Sequence, residues 1–76
     1  MTIRVLGKGC KNCRKLEETV RQAASELGLD YRIEKVTDVN EIADYGVLRT
    51  PALVIDERVV LEGRRASVSE IKKLLE

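Results

Sequence analysis

Residues 3–16 read Ile3-Arg4-Val5-Leu6-Gly7-Lys8-Gly9-Cys10-Lys11-Asn12-Cys13-Arg14-Lys15-Leu16. Ile3, Val5 and Leu6 form a short apolar strand that stops at Gly7-Lys8-Gly9, and both cysteines of the chain follow at once. Beyond them Leu16, Val20, Ala23, Ala24 and Leu27 recur at spacings of three and four, the apolar stripe of a helix. Cys13 extends that stripe by one turn, so it is expected to be buried. Cys10 falls at the cap position, ahead of the first turn, and is expected to be the more exposed of the two. Glu17 and Arg21 are an i,i+4 pair on the opposite, solvated side. Gly28 closes the helix as its C′ residue.

Further along, a second strand is expected from about Tyr31 to Val36. Asp38 then opens a short helix with Glu41 three residues on, a capping-box spacing. Val39, Ile42 and Ala43 give that helix an apolar side, and Gly46 ends it. Ala52-Leu53-Val54-Ile55 and Val59-Val60-Leu61 flank Asp56-Glu57-Arg58 at hairpin spacing, with no glycine to name the turn type. Ser67 and Glu70 form another capping box before a last helix lined by Val68, Ile71, Leu74 and Leu75. The order is βαβαββα. A helix between the first two strands makes them parallel, and the hairpin is antiparallel. The expected fold is α/β, a four-stranded mixed sheet with three helices, in one domain spanning residues 1–76.

With 76 residues, a second domain is excluded. The chain is 43% hydrophobic and 36% charged, too apolar for a disordered tail. No apolar run approaches the roughly 18 residues of a membrane span, so no membrane role is expected. Lys plus Arg number 14 against 13 Asp plus Glu, a net charge of +1, and Tyr31 and Tyr45 are the only aromatics. Neither the charge nor the aromatic content suits a nucleic-acid binder. The start resembles no signal peptide, so a cytoplasmic location is expected, where thiols stay reduced. The sequence contains no His, which removes the commonest acid–base group and the Cys-His nucleophile pair. No cofactor is called for, and a monomer is expected.

The chemistry therefore centres on Cys10 and Cys13. Three-residue spacing at a helix start holds two Cβ atoms about 5–6 Å apart. A disulfide wants about 3.8 Å, so the pair opens and closes with a small adjustment of one turn. At the cap, the Cys10 sulfur faces unpaired N–H groups and the positive end of the helix dipole. Lys8, Lys11, Arg14 and Lys15 surround it, with no acid before Glu17. Such a run is ordinarily a solvated face; its functional alternative is thiolate tuning by Lys8, Lys11 and Arg14, together with attraction of an acidic partner. Lowering a thiol from about 8.5 to about 7 takes roughly 2 kcal/mol, which dipole and charge together can largely supply. Cys10 is then the nucleophile and Cys13 the resolving thiol. The alternative is a soft-metal site: two thiolates suit Cu(I), whereas Zn needs further ligands that one chain lacks. An inert pair is the third reading.

Thr50-Pro51 holds the only proline, at the start of an apolar strand. Alone, it is strand-start punctuation. Together, Cys10-Lys11-Asn12-Cys13 after the first strand and Tyr45-Gly46-Val47-Leu48-Arg49-Thr50-Pro51 before the hairpin resemble the thioredoxin superfamily, in particular its small thioredoxin-like redox-disulfide members. The resemblance covers nearly the whole chain. It implies a cis peptide between Thr50 and Pro51, a loop beside the CxxC, and substrate pairing through the backbone of Thr50. It implies disulfide-containing protein substrates and an electron donor of the thioredoxin-reductase type. Gly9 stands where thioredoxins carry Trp, and Lys11-Asn12 replaces Gly-Pro. Arg4 stands where they place a buried acid, which leaves the proton acceptor for Cys13 unassigned, with water a candidate. Glu62-Gly63-Arg64-Arg65 replaces the Gly-Gly and acidic motif with which glutaredoxins hold glutathione, which argues against glutathione; Arg64 and Arg65 read as a solvated turn. The heavy-metal-associated domains also place CxxC after a first strand, but they run strand, helix, strand, strand, helix, strand, whereas this chain ends in a helix. Asp30, Asp38, Asp44 and Asp56 fall at turns and caps, and Tyr45 reads as core packing.

Overall fold

The computed structural model describes residues 1–76. Its elements are β1 (Thr2–Leu6), α1 (Lys11–Leu27), β2 (Arg32–Val36), α2 (Val39–Asp44), β3 (Ala52–Ile55), β4 (Arg58–Glu62) and α3 (Val68–Leu75). The strands form one sheet in the order β2-β1-β3-β4. β1 and β2 are parallel, and β3 runs antiparallel to both β1 and β4. This is the expected four-stranded mixed sheet with three helices. The order also separates it from the arrangement of the heavy-metal-associated domains.

Alternation along β1 and β3 divides the core between two faces. Ile3, Val5, Leu53 and Ile55 face α1 and α3 and pack with Leu16, Val20, Ala23, Ala24, Ile71 and Leu75. Leu6, Ala52 and Val54 face the other way and pack with Val36, Val47 and Ile42 of α2. The α2 expectation needs one correction. Only Ile42 is buried; Val39 is 53% exposed and Ala43 is also exposed. A helix of 6 residues touches the sheet with little more than one side chain.

The caps are local and follow the sequence. Gly28 is left-handed (φ 65°), and its N–H donates to the Ala24 and Ser25 carbonyls. Asp38 and Ser67 accept from the backbone of their first turns. The hairpin turn is now defined: Asp56 and Glu57 both have positive φ, 47° and 71°, which is type I′ geometry without its usual glycine. Two contacts support it. The Asp56 carboxylate accepts from the Thr2 N–H at 2.9 Å, and Glu57 pairs with Arg4. No helix is long and apolar enough to cross a membrane.

Candidate active site

Cys10 is the N-cap of α1, with extended backbone, and its Sγ accepts from the Cys13 N–H at 3.2 Å. The two cysteines are joined as a disulfide, their Cα atoms 5.0 Å apart. Cys10 is exposed, whereas Cys13 is only 4% exposed. The asymmetry follows from the helix period, because Cys13 shares the side that buries Leu16 and Val20. The first turn holds no acidic residue, and Lys8, Lys11, Arg14 and Lys15 are all exposed around it.

Gly7 connects this disulfide to the second half of the chain. It is buried, and its N–H continues the β1–β2 pairing onto the Val36 carbonyl at 2.9 Å. A Cβ added there would overlap Cys13 Sγ, sit 3.2 Å from Cys13 Cβ and lie 3.8 Å from Thr50 Cβ. Cys13 thus leaves no room for a side chain at residue 7, and Thr50 lies at ordinary contact distance from the same position. The structure brings the CxxC and the Thr50-Pro51 loop together, and the Thr50–Pro51 peptide is cis. Pro51 is buried while Thr50 is exposed.

The loop is held from β4. Glu62 Oε2 accepts from the Leu48 N–H at 2.7 Å and from the Arg49 N–H at 3.2 Å. The Pro51 carbonyl accepts from the Gly63 N–H at 2.8 Å. Glu62 and Gly63 therefore position the loop, a role that sequence reading missed for both, as it did for Gly7. Arg64 and Arg65 are exposed in the segment after β4, as expected of a solvated turn, and Arg64 also pairs with Glu70 of α3. Beside Thr50 lies an apolar notch of about 220 Å³, lined in part by Val39, Ala43, Val47 and Leu48, with Lys8 on its rim. Leu48 is 93% exposed.

Arg4 lies on the α2 face of β1, where it pairs with Glu34 and Glu57, away from Cys13. The ionisable side chains sharing the pocket beside Cys13, about 30 Å³ in size, are Arg14, Glu17 and Lys35. Here a second expectation is corrected. The Glu17–Arg21 pair forms at 2.9 Å, but Glu17 is not solvated: its side chain is only 13% exposed. Lys35 stands on the β2 face that α1 covers, and its Nζ reaches the other Glu17 oxygen at 3.2 Å. Burial pushes the Glu17 carboxyl up, but hydrogen bonds from Arg21 and Lys35 outweigh it and hold the group below the usual carboxylate range. The largest cleft, about 530 Å³, lies between β2 and α2 and includes neither cysteine nor Thr50.

An exposed sulfur at a helix cap, bonded to a buried one and abutting a cis X–Pro loop, is an arrangement for exchanging disulfides, and the protein class it defines is the thiol–disulfide oxidoreductases. Comparison with known proteins agrees. A family model described as the thioredoxin domain matches residues 1–76. A thioredoxin from Methanocaldococcus jannaschii is 48% identical over 75 residues, covering 99% of this chain and 86% of that protein. A thioredoxin from Methanothermobacter thermautotrophicus is 41% identical over 75 residues, covering 99% of this chain and 97% of its own length. The chain belongs to the thioredoxin domain family.

Proposed function

We propose that this chain reduces protein disulfides, with Cys10 as nucleophile and Cys13 as resolving thiol. The observation that carries the reading is the pairing of an exposed Cys10 at the cap of α1 with a Cys13 that is 4% exposed. In the dithiol form, the Cys10 thiolate attacks one sulfur of a substrate disulfide. That S–S bond breaks, a Cys10–substrate bond forms, and the first substrate thiolate leaves and takes a proton. Cys13 then loses its proton to water, and its thiolate attacks Cys10 Sγ. The mixed disulfide breaks, the second substrate thiolate leaves, and the Cys10–Cys13 disulfide closes. Two electrons have passed to the substrate.

The helix dipole and the charges of Lys8, Lys11 and Arg14 stabilise the Cys10 thiolate before attack. The backbone of Thr50 pairs with the substrate chain next to its cysteine, Pro51 fixes that backbone, and the apolar notch takes a neighbouring side chain. The whole task is carried by a single thioredoxin-like domain, residues 1–76, acting as a monomer in the cytoplasm. A dithiol reductase of the thioredoxin-reductase type returns the two electrons, and glutathione does not. The test is insulin-disulfide reduction by the dithiol form. Cys10→Ser abolishes it, and Cys13→Ser accumulates the mixed disulfide. Tight Cu(I) or Zn binding by the same sample, without disulfide turnover, would replace this reading with a soft-metal carrier.

A further inference from the structure

Opposite charges nearly balance in this chain, 14 against 13, but they are not evenly used. Arg4, Arg21, Arg32, Lys35, Arg64 and Lys72 are each held in an ion pair. The other eight cations are in none and are all exposed: Arg58, Arg65 and Lys73, and the five Lys8, Lys11, Arg14, Lys15 and Arg49. These five lie around the disulfide: Lys8 on the rim of the notch beside Thr50, Lys11, Arg14 and Lys15 at the start of α1, and Arg49 next to Thr50. Of the acids nearest in sequence, Glu18 is exposed and unpaired beside Lys15, and two others are engaged. Glu17 faces Arg21 and Lys35, and Glu62 faces the backbone N–H groups of Leu48 and Arg49. Nothing in the first turn of α1 offsets the cations, and the N-terminal N–H groups of that helix add to them.

We propose that this ring is a docking surface for acidic segments, so that the protein selects disulfides flanked by Asp or Glu. The inference deepens the reductase reading and rests on it for its biological meaning. The physics is that of steering: a one-sign patch raises the encounter rate with an oppositely charged partner by about 10–10³-fold, and salt removes the gain. Phosphates of a nucleic acid would also meet positive charge here, but a substrate must bring a disulfide to Cys10, which only a protein or peptide does.

The experiment compares two disulfide peptides of identical length, one flanked by Glu and one by Lys, with neutral 2-hydroxyethyl disulfide as a third substrate. At about 0.02 M salt, the acidic peptide is expected to react about tenfold faster than the basic one, and the ratio to fall toward one by about 0.5 M. The Lys15→Glu, Arg49→Glu double variant is expected to lower that ratio, a readout in which any change in thiol reactivity cancels. Charge preference is read again without chemistry: serine-for-cysteine versions of both peptides are titrated into the oxidised protein, following the backbone amide shifts of Lys11, Arg14 and Arg49. Shifts with the acidic peptide alone support the docking surface, even if no disulfide is reduced and the reductase reading falls. Equal rates at low salt, a ratio indifferent to salt, or equal shifts with both peptides would overturn it, even if all three disulfides are reduced.

Discussion

Replacing Gly7 with Ala tests whether one hydrogen atom's worth of space holds the two halves of the site together. The Gly7 φ is not left-handed, so alanine fits the backbone and the effect is steric. The new Cβ would overlap Cys13 Sγ and lie 3.2 Å from Cys13 Cβ, closer than ordinary contact. Neither neighbour moves freely: Cys13 is tied to Cys10, and Gly7 is tied to Val36 by a 2.9 Å hydrogen bond. Overpacking of this kind costs about 1–3 kcal/mol. Stiffening the unfolded chain returns about 0.4–1 kcal/mol. A net loss of about 1–2 kcal/mol is expected, and with a denaturant slope near about 1 kcal/mol/M for so short a chain the urea midpoint of the oxidised protein falls by about 1–2 M. Insulin reduction falls too, because a displaced Cys13 resolves the mixed disulfide more slowly. A midpoint that stays put or rises would mean that the close approach of Gly7 to Cys13 does not constrain the site.

Three further outcomes are expected. Glu62→Ala removes the acceptor for the Leu48 and Arg49 N–H groups; because these are exposed, the stability loss is only about 1–2 kcal/mol, while KM for insulin rises more than kcat falls. Glu57→Gly relieves a left-handed residue at φ 71°, worth roughly 1 kcal/mol, against loss of a solvent-screened pair with Arg4, and thermal unfolding is expected to shift upward slightly or not at all; a large drop would mean the ion pair dominates the turn. Hydrogen bonds hold the Glu26 and Glu70 carboxyls below their ordinary value of 4.5, and at Glu17 they overcome the opposing effect of burial. Because the folded values lie below the unfolded ones, this stabilisation is complete above about pH 5 and is lost as pH falls through the folded values. Urea midpoints are therefore expected to hold from about pH 7 to about pH 5 and to decline below, with Glu17→Gln showing a shallower decline.

Much of this was legible before any coordinates, and what was legible is local. The 3.6-residue stripe of α1, the caps at Asp38 and Ser67, the Gly28 stop and the alternation in β1 and β3 all depend on neighbours within one turn or one strand. The same locality made the burial of Cys13 and the exposure of Cys10 readable, since both follow from helix phase. Where phase alone was used and tertiary contact decided, the reading failed. Val39 has an apolar side chain in the right phase, but α2 is too short to press it onto the sheet. Glu17 is expected opposite the stripe, but it lies four residues after Cys13 and three before Val20, at the edge of the buried side, where Lys35 of β2 reaches it.

The sequence alone therefore determined the element order, the two-thiol chemistry and which sulfur meets solvent, because helix period and capping act over a few residues. Only the tertiary structure decided what surrounds those sulfurs. The parallel register of β2 on β1 sets Lys35 against Glu17, the antiparallel β3–β4 pair carries Glu62 to the Thr50-Pro51 loop, and their meeting point leaves room at residue 7 for glycine alone. Those contacts join residues far apart in the chain, and no short-range pattern encodes which distant partner a strand register will deliver.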